Sequence, residues 1–342
     1  MAFDHEEGQP GIDDDGHLTA EDSSNVPTDD SDSAFSDDSQ TVLSSSLRSS
    51  IYNHRYENGR TYHAFRDGQY PIPNDEEEQA RLDLLHHLFT MVLGGELYTA
   101  PLPTEPQRVL DVGTGTGIWA IEMADRFPTA TVVGTDLSPI QPGFVPPNVQ
   151  FYIDDAESDW IFRDFEKFDF IHGRALCGGI ADWPRLYAQA YDHLEPGGWM
   201  EMQDHECWIN SDDGGMERAP GCTEWIHEVD RASAMFGKRL NIAHLHRQWM
   251  IDAGFEGVTE MVRKIPIGSW AKDPKLKEIG KLMRVQMIQS IPSFMLAYYT
   301  RILGYSMERT EVTMALVKRE FSDRSLHLYL RWHFVYGRKP TR

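Results

Sequence analysis

Between residues 108 and 204 the chain alternates short apolar runs with stretches in which apolar positions recur every three or four residues. Arg108–Val112, Thr131–Asp136, Val149–Ile153, Phe168–Ile171 and Gly198–Met202 read as strands, with Ile118–Arg126 and Trp183–Leu194 as helices between them. This β-α-β-α order predicts one α/β domain around a mostly parallel sheet. Ahead of it, Asn74–Glu78 has the composition of a capped helix start. Leu82, Leu85, Phe89 and Val92 follow at helical spacing before Gly94 and Gly95 stop the run. One crossover departs from the pattern. Ser138 and Pro139 can start a helix, but Pro142, Gly143, Pro146 and Pro147 forbid its continuation, so an extended loop is expected.

After Asp204 the rhythm changes. Asp212–Gly215, Pro220 and Gly221 mark a loop, Thr223–Phe236 a helix, and Trp332–Tyr336 a closing apolar run. Segments 205–250 and 275–325 are expected as partly helical additions at the carboxyl edge of the sheet, where open α/β folds bind ligands. Met283, Met287, Met295, Tyr298 and Tyr299 would line a pocket there or belong to the core.

Charge separates the first 50 residues from the rest. They hold 13 of the 54 acids and a single base, Arg48, and so carry −12 of the net −22. Rich in Ser and Asp, this segment cannot bury enough apolar surface to offset its ordering entropy, and a disordered arm over 1–50 is expected. Residues 51–342 keep a net −10 with no basic stripe, which argues against direct nucleic-acid binding. The start of the chain lacks the basic and apolar regions of a secretory signal, and no apolar run reaches bilayer length. Cys177, Cys207 and Cys222 form no C-x-x-C pair, so neither a disulfide framework nor a metal site is expected. An intracellular location, cytoplasm or nucleus, follows as the expectation.

The densest chemical signal is Arg108–Ile118, where a strand ending Asp111-Val112 meets Gly113, Gly115 and Gly117 before a helix. Alternate glycines let a ligand approach the backbone. The G-x-G-x-x-G dinucleotide fingerprint does not fit, because the third glycine comes one residue early and Asp111 would repel a pyrophosphate. S-adenosylmethionine suits the loop better, having no phosphate and an ammonium that a carboxylate can pair with. Asp136 ends the second strand 19 positions after Gly117, near the roughly 20-residue offset of a ribose-binding carboxylate. After the third strand comes Asp154-Asp155-Ala156, placed to accept from an adenine amino group. Asp111, Gly113, Gly115, Gly117, Asp136, Leu137, Asp155 and Ala156 are therefore the expected cofactor residues. Each acid taken singly is equally well a turn cap.

On these residues the sequence resembles the class I S-adenosylmethionine-dependent methyltransferases, and within them the LaeA-like fungal methyltransferases. The resemblance spans about 50 to 342. It is carried by the glycine loop, Glu57–His63, Pro73–Glu76 with Arg81–Asp83, Ser138–Pro142, Phe168–Arg174 and Leu194–Trp199. It implies a Rossmann-like fold with a mostly parallel seven-stranded sheet, divided into an entry and lid over 51–105, a cofactor core over 106–204, and helical additions with final strands over 205–342. It also implies a lid role for Arg60, Tyr62 and His63, and regulation of secondary metabolism together with velvet proteins.

Methyl transfer from a sulfonium depends chiefly on alignment in a desolvated site, and a base matters only where the acceptor must lose a proton. His172 and Arg174 just past the fourth strand, and Asp204, His205 and Glu206 just past the fifth, are the candidates. His205 is the preferred base, oriented by a neighbouring carboxylate, and His172 is a second candidate or a core histidine. Arg174 is expected on the methionyl carboxylate. Three functions remain open: an enzyme methylating a fungal natural product or a protein, a nuclear regulator acting through velvet-type partners, and a scaffold that binds the cofactor without turnover.

Overall fold

The structure, a computed structural model, describes residues 55–63, 65–66 and 68–341. The expected acidic arm, residues 1–50, lies outside them. A hairpin of β1 (Arg55–Glu57) and β2 (Arg60–Tyr62) comes first. Its two-residue turn, Asn58-Gly59, has φ of 52° and 79°, the double left-handed conformation that this dipeptide favours. Helix α1 (Glu76–Val92) follows, its first turn capped by the Asp75 carboxylate accepting from Glu78 N at 3.0 Å.

The central sheet contains β3 (Arg108–Val112), β4 (Thr131–Asp136), β5 (Val149–Ile153), β6 (Phe168–Arg174), β7 (Leu194–His205), β8 (Asn210–Ser211), β9 (Glu256–Ile267) and β10 (Leu328–Arg338). The strands run β5-β4-β3-β6-β7-β10, with β9 on the far edge of β10. The first five are parallel, whereas β10 is antiparallel to β7, β8 and β9. Eight strands replace the expected seven because the two-residue β8 resumes the β7 edge after a short loop: His205 pairs with Trp332, and Asn210 with Tyr329.

Helices α2 (Ile118–Arg126) and α3 (Trp183–His193) make the crossovers. The connection between β4 and β5 contains no helix, as its prolines require. The additions are α4 (Pro220–Phe236), α5 (His246–Asp252), α6 (Pro274–Met295), a π-helical stretch over Leu296–Ile302, and α7 (Met307–Ser322). Pro220 and Gly221, expected in a loop, open α4 instead, since proline at the first helical position has no amide to leave unpaired.

Two apolar clusters form the core. Trp119, Met123, Val109, Val132 and Phe170 belong to the smaller. The larger joins the sheet to the additions and takes in Met295, Tyr298 and Tyr299, all fully buried, so these three are core. Among the described residues no helix is long and apolar enough to cross a membrane.

Candidate functional site: a cofactor cavity and its neighbour

The glycine loop is fixed from several sides. Thr114 N donates to Thr135 O at 2.9 Å, Gly115 N to Asp136 Oδ2 at 2.8 Å, and Gln141 Nε2 to Gly115 O at 2.7 Å. A Cβ on Gly113 would lie 2.3 Å from Leu176 Cδ2, so a side chain there must displace Leu176, and the φ of +65° strains any residue but glycine. At Gly115 the space is open, the nearest atom being Leu82 Cδ1 at 3.6 Å, and the constraint is instead a φ of +57°.

Over this loop lies a cavity of about 950 Å³ whose wall includes Gly113, Gly115, Asp136, Leu137, Asp155, Ala156 and Arg174. Gly117 lies off the wall and serves as the left-handed N-cap of α2. Asp136 accepts from Gly115 N and Ser138 N, one on each oxygen, while burial pushes its carboxyl pKa up. Each oxygen keeps a free lone pair for a ribose hydroxyl. Asp155 holds its own turn by accepting from Glu157 N at 3.0 Å and Ser158 Oγ at 3.2 Å, and pairs with Arg66 at 3.4 Å.

Arg174 reaches both this cavity and an adjoining one beside Asp111. Its guanidinium donates to Gln203 Oε1 at 2.9 Å and Leu97 O at 3.2 Å and lies 4.7 Å from the Phe89 ring centroid, while its Nη1 meets His86 Nδ1 at 2.9 Å. Among the described residues no carboxylate forms an ion pair with it, and burial lowers its pKa to about 10. A half-buried cation whose hydrogen-bond partners are all neutral is suited to receive a ligand carboxylate. These features fit S-adenosylmethionine: a backbone cradle, a carboxylate at the second strand end and a cation awaiting an anion.

The catalytic candidates separate. Strand β6 extends to Arg174, which puts His172 inside the sheet with no exposed surface rather than past its end. Its Nδ1 lies 2.8 Å from Asp111 Oδ1 and its ring stacks on Trp119 at 3.7 Å, while the other Asp111 oxygen accepts from Thr114 Oγ1 at 2.6 Å. Burial lowers the His172 pKa to about 4. Asp111 and His172 thus brace the loop from below.

Strand β7 likewise reaches His205, and strand alternation sends Asp204 and His205 to opposite faces. Asp204 lies 3.5 Å from His246, and Glu206 is 3.1 Å from His333, so neither carboxylate orients the His205 ring. The partner that does is Cys207, its Sγ 3.9 Å from His205 Nδ1. Cys177 joins this group at 3.7 Å from Cys207 Sγ, a meeting that no C-x-x-C spacing announces.

His205 and Cys207 face a second cavity, of about 540 Å³, whose wall is mainly apolar and includes Ile209, Trp225, Met283, Met287 and Phe294. Helix α1 divides the two cavities, Glu78 and Leu82 facing the cofactor side and Arg81 and Leu85 the other. The expected lid residues stand off both. Arg60 is clamped to Asp75 by bonds of 2.6 and 2.7 Å, Tyr62 lies under Arg301, and Arg60, Tyr62 and His63 are all at most 6% exposed. The segment that follows them, Tyr70 to Asn74, supplies the wall instead.

A parallel sheet closed by an antiparallel strand, with a glycine cradle and acidic strand tip at its carboxyl edge, defines a Rossmann-like class I methyltransferase. A family model described as a methyltransferase domain matches residues 84–260. The methyltransferase pytC of Aspergillus terreus is 42% identical over 297 residues, covering 86% of this chain and 91% of its own length. The protein-methionine methyltransferase laeA of Emericella nidulans is 37% identical over 291 residues, covering 84% of this chain and 76% of its own. Among solved structures, a Haemonchus contortus phosphoethanolamine N-methyltransferase 2 in complex with S-adenosyl-L-methionine aligns with a TM-score of 0.40 at 19% identity, over 76% of this chain and 52% of that one. The chain belongs to the methyltransferase-domain family and, within it, to the LaeA-like methyltransferases of fungal secondary metabolism. It is an S-adenosylmethionine-dependent enzyme and requires a methyl acceptor.

Proposed function

We propose that this chain methylates an apolar small molecule of secondary metabolism, held in the cavity bounded by α1, α4, α6 and the end of β7. One observation carries the reading: a mainly apolar cavity with a few polar groups stands across a single helix from the cofactor cavity. When bound, the cofactor supplies an electrophilic methyl group on a sulfonium. Gly113, Gly115, Asp136 and Asp155 would hold its nucleoside end and Arg174 its carboxylate, with Asp111 and His172 supporting the loop. His205 is the group we assign to the heteroatom of the acceptor. Burial of Trp225, Met283 and Met287 around it would exclude water from the electrophile.

A second reading is favoured by the likeness to laeA, which is described both as a protein-methionine methyltransferase and as a secondary metabolism regulator. In that reading the acceptor is a protein, and the acidic N-terminal segment serves velvet-type partners in the cytoplasm or nucleus. Methyl-labelled cofactor incubated with the purified chain and fungal extract separates the two. Label in the solvent-extractable, low-mass fraction, reduced in Met287→Trp, supports the small-molecule reading. Label confined to protein overturns it in favour of the second.

A further inference from the structure

We propose that Cys177, His205 and Cys207 form a binding site for a thiophilic divalent cation of the zinc class, held by three protein ligands with a fourth position open. Each residue offers one donor atom, and the three atoms all lie within 4.8 Å of one another. The two sulfurs are 3.7 Å apart, and Cys207 Sγ is 3.9 Å from His205 Nδ1. In a tetrahedral site with Zn–S near 2.3 Å and Zn–N near 2.0 Å, sulfur atoms stand about 3.8 Å apart and sulfur and nitrogen about 3.5 Å. Those two separations therefore need adjustments of only a few tenths of an ångström, and the third, between Cys177 and His205, at most about 1.3 Å from its bound of 4.8 Å. Two thiolates and an imidazole form a soft donor set that selects zinc over magnesium or calcium.

The arrangement comes from strand register. Arg174 pairs with Gln203 at the ends of parallel neighbours β6 and β7, so Cys177 and Cys207 sit three and four residues beyond paired positions. This is why two cysteines 30 residues apart meet without a C-x-x-C motif.

The surroundings supply a second, independent observation. Asp204 has no exposed surface, its carboxylate lies against the Cys177 thiol, and His246 Nε2 stands 3.5 Å from its Oδ2. A buried carboxylate beside two sulfur donors is costly unless a positive charge compensates it. All three cysteines of the chain are free.

His205 and Cys207 line the apolar cavity, while Leu176, the neighbour of Cys177, lines the cofactor cavity, so the cluster stands between the two. If that apolar cavity holds the acceptor, as proposed above, the acceptor heteroatom would meet the cation instead of a free imidazole, and His205 would act as a ligand and not a base. The ligand set itself does not depend on that reading.

The test uses the full chain, purified under reducing conditions with zinc, freed of loose metal and analysed for metal content, with cobalt substituted in a parallel preparation. We expect about one equivalent per chain and a sulfur-to-cobalt charge-transfer band. Both should be lost in Cys207→Ser and Cys177→Ser and retained in Cys222→Ser. S-adenosylmethionine binding by calorimetry should stay within about twofold in Cys207→Ser, which shows that the variant is folded and keeps the cofactor reading separate. Metal below a tenth of an equivalent, an unchanged cobalt spectrum in the variants, or a chain lighter by two hydrogens from a Cys177–Cys207 disulfide formed in the presence of zinc would each overturn the proposal.

Discussion

Asp111 and His172 are direct neighbours in the register of β3 and β6, with Asp111 Oδ1 2.8 Å from His172 Nδ1 beneath the glycine loop. The ring is buried and stacked on Trp119, and burial lowers its pKa from 6.5 to about 4 even though Asp111 pulls the other way. The unfolded chain therefore binds a proton that the folded chain refuses. Stability from this group is fully present above pH 6.5 and is lost as pH falls through that value toward 4, by on the order of 3 kcal/mol. Thermal melts from pH 7.5 to 4.5 should show a steep acid decline that is shallower in His172→Gln. Equal slopes in both proteins would contradict a neutral, buried His172.

Gly115→Val is expected to weaken S-adenosylmethionine binding at least tenfold, about 1.4 kcal/mol, because φ of +57° disfavours a β-branched residue in the cradle. Asp136→Ala should do the same and also cost about 1–3 kcal/mol of stability, since it leaves Gly115 N and Ser138 N without their acceptor. Arg174→Ala should weaken the cofactor by a similar factor through loss of a charge-assisted contact. Calorimetry measures all three, and wild-type affinity in all of them would remove the cofactor assignment from this loop.

Glu320 on α7 caps α4 from outside, accepting from Gly221 N at 3.0 Å and Cys222 N at 2.7 Å. Ala219 at the N-cap has no side-chain acceptor of its own. Glu320→Ala should lower stability by about 1–3 kcal/mol and Glu320→Gln by less, read as shifts of the urea midpoint.

Residues 1–45 are rich in Ser and Asp and poor in apolar side chains. Their removal should leave both cofactor affinity and melting temperature nearly unchanged. A fall of more than a few degrees would show that the segment packs on the domain.

The five parallel strands and the glycine loop were legible because each strand is a short apolar run and the loop needs glycine at fixed positions. Strand β9 was not, since its edge position lets Glu256, Glu260, Arg263 and Lys264 interrupt Val258, Met261 and Val262 without a regular alternation. The β1–β2 hairpin carried a readable signal in Asn58-Gly59, a dipeptide that favours a two-residue turn. Site residues were hardest where a strand ran longer than its apolar core. Three more residues on β6 and on β7 turned two presumed loop histidines into strand residues, and the partner that meets His205, Cys207, lies in the loop beyond. The encounter of Cys177 with Cys207 depends on register between separate strands, which no local pattern encodes.

Helix α1 gives the two cavities a common wall. Glu78 on the cofactor side receives Arg81 from the other side, Nη2 to Oε1 at 2.5 Å, and is held from α6 by Ser293 Oγ at 2.5 Å. A ligand that shifts Glu78 must disturb Arg81, and one that displaces Arg81 must disturb Glu78. Donor and acceptor are then expected to change each other's affinity, and thermodynamic reciprocity makes the factor the same in both directions. An acceptor screen run without the donor would report a different equilibrium from the one the enzyme uses.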